Sequence, residues 1–111
     1  MTNKIVVLST CANGDDAARI ARALVDGRLA ACVSVVPGLR SYYRWKDGIE
    51  TGDEVLLVIK TSRELFAPLQ AELAKIHPYE LPELLALPVI EGSEEYLNWL
   101  DSNLDLGGPA A

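Results

Sequence analysis

Leu39-Arg40-Ser41-Tyr42-Tyr43-Arg44-Trp45-Lys46-Asp47-Gly48-Ile49-Glu50 holds the strongest turn signal in the chain. Asp-Gly between two extended, aromatic-rich runs is the pattern of a two-residue hairpin, since a type I′ turn needs positive φ at both central residues. The spacing predicts a strand from Leu39 to Lys46, a turn at Asp47-Gly48 and a return strand from Ile49. Thr51-Gly52-Asp53 loosens that return strand, and Glu54 to Thr61 completes it. Inside it, Val55-Leu56-Leu57-Val58-Ile59 offers apolar side chains to both faces, so both faces need cover. Before Leu39, Ala31 to Val36 reads as the start of the same strand, interrupted at Pro37-Gly38 by a bulge or bend.

Working outward, Ile5 to Leu8 is a short β-branched run, a buried strand. Asn13-Gly14-Asp15-Asp16 is turn chemistry followed by carboxylates, which a helix N-terminus favours. Ala17, Ile20, Ala21, Leu24 and Val25 then repeat at helical spacing. Gly27 is expected to end that helix in a left-handed conformation. After the hairpin, Thr61 to Glu64 fits a capping box. Leu65, Leu69, Leu73 and Ile76 mark a second helix. Pro68 is best placed in its first turn, which moves the start toward Ala67. Pro78 biases His77 away from helical geometry and ends the helix at Ile76. Glu83 to Val89 reads as a fourth strand, with Pro88 placing it at an edge or a strand end. Ser93 caps a last helix carrying Leu97 and Leu100.

The order β-α-β-β-α-β-α is that of an α+β, ferredoxin-like βαββαβ domain with an extra C-terminal helix, an antiparallel sheet and a long β2–β3 hairpin. The sequence divides into one domain, residues 1–104, and a flexible tail, residues 105–111. Both early helices pack on one sheet face in such a fold. The other face stays bare although its residues are apolar, so an obligate oligomer is expected. Tyr42, Tyr43 and Trp45 are assigned to the subunit interface, because aromatics on a long hairpin favour partner surfaces, with packing within the sheet as the alternative.

The chain has 111 residues, two cysteines, one histidine and a formal charge of −6. That acidic balance excludes nucleic acid as the expected partner. Two thiols do not make a disulfide framework, and a reducing, intracellular compartment is expected. The apolar run before Cys11 is too short for a signal peptide, and no run reaches the roughly 18 apolar residues of a membrane span. There is no P-loop, no G-x-G-x-x-G and no nucleophile elbow, so no enzyme is read from the motifs.

The candidate metal ligands are His77, Cys32 and Cys11. Imidazole and thiol suit copper and related ions. Two of them also have a plain structural reading: His77 as a cap on the preceding helix, and Cys32 as a small buried hydrophobe. Cys11, at the end of the first strand, is expected to be the more accessible thiol. The carboxylates of Glu50, Asp53, Glu54, Glu80 and Glu83 are candidates for a hard cation or for acid–base work, or are solvated or paired with Arg40, Arg44 and Lys60. Arg40, Arg44, Lys46 and Lys60 are in turn candidates for an anion cleft.

Several runs together resemble one family. Ala30-Ala31-Cys32-Val33, Pro37-Gly38, Ser41-Tyr42-Tyr43-Arg44-Trp45, Glu54 to Thr61, His77-Pro78-Tyr79-Glu80-Leu81-Pro82-Glu83 and Tyr96-Leu97-Asn98-Trp99-Leu100 are similar, in order and spacing, to the CutA divalent-cation-tolerance proteins. The resemblance covers residues 4 to 104. It implies a homotrimer with hairpins packing across subunits, a cytoplasmic location, and a link to copper and other divalent cations with no obligatory cofactor. It implies no enzymatic activity, and in animal relatives an association with anchoring acetylcholinesterase. In members with a described copper site, the ligands are a thiol ending the first strand and a His-His pair. Here Ser9 and Ile76 stand at two of those positions, and only His77 remains. Cys11 lies two residues beyond Ser9, on the same side of an extended strand. Cys32 matches the family's second-strand cysteine.

The expected function is a non-catalytic trimer for copper tolerance that binds metal ions weakly. The alternative is a PII-like signalling trimer with a small anion or nucleotide between subunits. An acylphosphatase-like enzyme is disfavoured, because Thr10-Cys11-Ala12-Asn13-Gly14 has no arginine to cradle an anion.

Overall fold

The computed structural model describes residues 2–107. The elements run β1 (Lys4–Cys11), α1 (Gly14–Asp26), β2 (Cys32–Trp45), β3 (Gly48–Ser62), a 3-10 turn (Arg63–Leu65), α2 (Phe66–Ile76), β4 (Leu85–Pro88) and α3 (Glu94–Ser102). The sheet order is β2-β3-β1-β4, with all neighbours antiparallel. This is the ferredoxin-like arrangement, with α3 added. Of the tail, residues 108–111 lie outside the described residues.

Alternation along β1 and β3 sorts the sheet into two faces. Ile5, Val7, Cys11, Val55, Leu57 and Ile59 point to one face and form the core with Ile20, Leu24, Leu69 and Leu73 from α1 and α2. Val6, Leu8, Leu56 and Val58 point to the other face and are only half-buried. β4 adds Leu85 and Leu87 there, 58% and 49% exposed, and β2 adds Val36, 43% exposed. Among the described residues of one chain this apolar face has no covering layer over its centre. At its margin, Lys4 is buried and its ammonium meets Asn3 Oδ1, Ser62 Oγ and the Asp101 carboxylate of α3. Leu100 and Leu104 pack beside it on Ala31 and Leu65.

β1 ends at Cys11, opposite Val55. Beyond that point β2 and β3 pair only with each other, from Leu39 opposite Glu54 out to Trp45 opposite Gly48. This two-stranded ribbon projects from the body and lengthens the molecule to 52 × 27 × 21 Å. The radius of gyration is 14.9 Å, where a compact chain of this length has about 13 Å.

Several local expectations change. The hairpin turn is Lys46-Asp47, one residue earlier than expected, because the register beyond the bulge pairs Trp45 with Gly48. Lys46 takes the positive φ (55°) and Gly48 does not. The bulge itself stands, with the register shifting between Val36 and Leu39 and Gly38 at φ 84°. Gly27 does end α1, but with φ −79°, and Arg28 takes the left-handed conformation at 57°. Glycine suits position 27 for another reason: a Cβ there would lie 3.3 Å from the Ala23 carbonyl oxygen. The expected Thr61–Glu64 capping box does not form. The Thr61 hydroxyl donates to the Leu29 carbonyl, Glu64 accepts from Asn3, and a 3-10 turn fills the space. Pro68 lies in the first turn of α2, and His77 ends the helix in an extended conformation (φ −80°, ψ 132°).

Candidate functional site

Residues 77–83 leave α2 and pass the end of β1 before entering β4. His77 is 7% exposed. Its Nε2 lies 2.8 Å from the Thr10 carbonyl oxygen, and the Tyr79 backbone N–H donates to its Nδ1 at 3.1 Å. The Tyr79 ring packs on the imidazole at 4.8 Å, and its hydroxyl donates to Glu54 Oε2 at 2.8 Å. Desolvation, and then the Glu54 carboxylate, push the Tyr79 phenol well above its ordinary value of 10.0, so it stays protonated and donates. The Ser9 hydroxyl donates to the Glu83 carbonyl at 2.7 Å, which fastens the far end of the segment.

Between this segment and the ribbon lies an open groove of about 940 Å³. Glu50, Asp53, Glu54, Glu80 and Glu83 all line it, with Tyr43 and Trp45 along the ribbon side. The five carboxylates named from the sequence are thus brought to one place. Among the described residues no lysine or arginine lines the groove. Asp53 is the member with a charged partner, Arg40, at 3.1 Å. Such a concave acidic surface concentrates cations and repels anions.

The structure does not assemble the candidate metal ligands within one chain. Cys11 is fully buried on the core face, where its thiol donates to the Asn13 carbonyl at 3.6 Å. This corrects the expectation of an accessible thiol: β1 stays extended through Thr10, so Cys11 turns inward like Ser9. Burial pushes the Cys11 thiol above its ordinary value of 9.0, which disfavours the thiolate a metal needs. Cys32 is half-buried on the opposite, uncovered face, paired with Lys60. Five β3 positions, roughly 17 Å, separate its register position from that of Cys11. Lys60 Nζ donates to Ser34 Oγ at 2.9 Å and lies 3.8 Å from Cys32 Sγ. Both ring nitrogens of His77 are engaged. Among the described residues no three His, Cys, Asp or Glu side chains are grouped to hold an ion. A resident chelated metal therefore does not fit a single chain.

The basic candidates are not gathered within one chain either. Arg44 and Lys46 sit at the ribbon tip and Arg40 in its middle, while Lys60 lies roughly 40 Å along β3 from the tip. Tyr42, Tyr43 and Trp45 are 68%, 47% and 48% exposed. Sequence reasoning missed the Tyr79–Glu54 link and the Lys4–Asp101 pair. Each joins residues far apart in the chain, with no local signal connecting them.

A four-stranded antiparallel sheet carrying two helices on one face, a third at its margin and a long projecting ribbon defines a ferredoxin-like α+β subunit. The chain belongs to the CutA1 divalent ion tolerance protein family, whose profile matches residues 5–103. It is 48% identical, over 88% of its length and 95% of the relative's, to the divalent-cation tolerance protein CutA of Thermus thermophilus. It is 40% identical to the chloroplastic CutA of Arabidopsis thaliana over 89% of its own length, and spans about half (54%) of that longer relative. The crystal structure of CutA from Xylella fastidiosa matches with a TM-score of 0.91 at 41% identity, over 94% of this chain and all (100%) of that one. The family description and the Thermus name are those of a tolerance protein and not of an enzyme. No helix among the described residues is long and apolar enough to cross a membrane.

Proposed function

We propose that this chain forms a non-catalytic, cytoplasmic homotrimer that serves divalent-cation tolerance and meets copper or a related ion weakly. One observation carries the assembly: the uncovered apolar sheet face continues into a two-stranded ribbon with exposed aromatics. A lone two-stranded ribbon is marginal in water, and contiguous exposed apolar surface of this kind marks an association site. Ribbon and sheet face are unlike surfaces, so their contact is heterologous and closes into a ring when the rotation permits. The count of three rests on the family resemblance.

The cation role rests on the tolerance function named for the relatives and on the acidic groove. Cys32 is the half-exposed thiol and the ligand of choice for a thiophilic ion, whereas Cys11 is sealed in the core. Weak binding is consistent with the scattered ligands. An anion-binding, PII-like role gains no support from a groove lined by carboxylates. The test is an anaerobic Cu(I) titration of wild type, Cys11→Ser and Cys32→Ser. Binding is expected to be kept in Cys11→Ser and lost in Cys32→Ser. Equal affinity in all three removes both thiols as ligands.

A further inference from the structure

The family resemblance casts His77 as a copper ligand, and the hydrogen bonds around it oppose that role. A carbonyl oxygen only accepts, so the Nε2 that meets Thr10 O at 2.8 Å carries the ring proton. A backbone N–H only donates, so the Nδ1 that meets Tyr79 N at 3.1 Å is bare and its lone pair is occupied. The geometry selects one neutral tautomer with both nitrogens committed. A metal at Nε2 would displace that proton and strand the Thr10 carbonyl. A metal at Nδ1 would strand the Tyr79 N–H. Each loss leaves a polar group unpaired beside a ring only 7% exposed. The neighbouring positions offer no help, because Ile76 is apolar and the Ser9 hydroxyl already donates to Glu83 O.

We infer that in this chain His77 is a positioning residue and not a metal ligand: it seats Tyr79 so that the phenol reaches Glu54 and sets the wall of the acidic groove. The ring holds the backbone of residue 79 through Nδ1 and is itself held to β1 through Nε2. Tyr79 stacks on it and ties the turn to the base of the ribbon through Glu54 Oε2 at 2.8 Å. The side chain that marks the resemblance thus shapes the groove, and cations reach this protein through other groups.

The test uses the full-length protein with imidazole 15N-labelled. Long-range proton–nitrogen spectra are expected to report the Nε2–H tautomer, unchanged on adding one equivalent of Zn(II) or, anaerobically, Cu(I). In parallel, His77→Gln and His77→Ala are titrated with the same ions, with affinities expected within about twofold of wild type. Glutamine supplies one donor and one acceptor, so His77→Gln keeps the slow exchange of the Tyr79 amide, whereas His77→Ala loses it and melts several degrees lower. The opposite tautomer, a metal-induced shift of the ring nitrogens, or a tenfold or greater loss of affinity in folded His77→Gln overturns the inference. If His77→Ala does not fold, the wild-type spectra and the glutamine variant decide. Absence of metal binding by wild type supports the reading of His77 and contradicts only the cation role proposed above, so the two fail separately.

Discussion

Cys11 and Tyr79 illustrate what surroundings do to single residues. Both are acids that are neutral when protonated, and burial favours the protonated form of each in the folded chain. The unfolded chain therefore releases these protons first as pH rises. Their contribution to stability is complete below the ordinary values of 9.0 and 10.0 and is lost as pH climbs through the raised folded values. Urea midpoints are expected to fall from about pH 9 upward, and the double variant Cys11→Ser/Tyr79→Phe is expected to flatten that decline. Alkylation should find Cys11 inert at neutral pH until the chain unfolds. Modification of native Cys11 at the rate of a free thiol would contradict its burial.

Individual elements carry two further expectations. Lys46 bears a side chain at φ 55°, where a Cβ costs roughly 1–2 kcal/mol. Glycine removes that strain but adds freedom to the unfolded chain, so Lys46→Gly is expected to gain on the order of 0.5–1 kcal/mol in denaturant unfolding. A loss would show that the lysine makes contacts absent from the single chain. At α3, Asp101 neutralises the buried ammonium of Lys4. Asp101→Ala leaves that charge with only Asn3 and Ser62, and should cost roughly 1.5–3 kcal/mol. Replacing both partners, as in Lys4→Met/Asp101→Leu, should cost less than Asp101→Ala alone, because no unpaired charge then remains buried. Hydrogen exchange in α3 distinguishes helix release from general destabilisation.

The whole molecule is defined by what it leaves uncovered. Val58 lies mid-sheet on the bare face, opposite Leu8 and Ser34. In a single chain Val58→Lys would be tolerated, because the lysine can extend into water. In an assembly that buries this face it leaves an unpaired charge and dissociates the subunits. Sedimentation at micromolar concentration is expected to give three times the 12.1 kDa chain mass for wild type and a much smaller mass for Val58→Lys. A wild-type monomer would remove the basis of the proposed assembly.

Element order, the hairpin, the bulge at Pro37-Gly38, the end of α2 at Ile76 and the Ser93 cap were legible in the sequence. They rest on local causes: side-chain periodicity, proline and glycine sterics, and short-range capping. The bare sheet face was legible too, since alternation in β3 follows from backbone geometry alone. The turn register, the inward thiol of Cys11, the Lys4–Asp101 pair and the engaged nitrogens of His77 depended on tertiary structure. Each depends on groups that meet only when β1, the ribbon and the 77–83 segment converge, and sequence separation carries no information about that meeting. The run from His77 to Glu83 spans both cases. Its residues contribute to the family resemblance from sequence alone, whereas its hydrogen bonds, set by packing against Thr10 and Glu54, decide what its histidine can do.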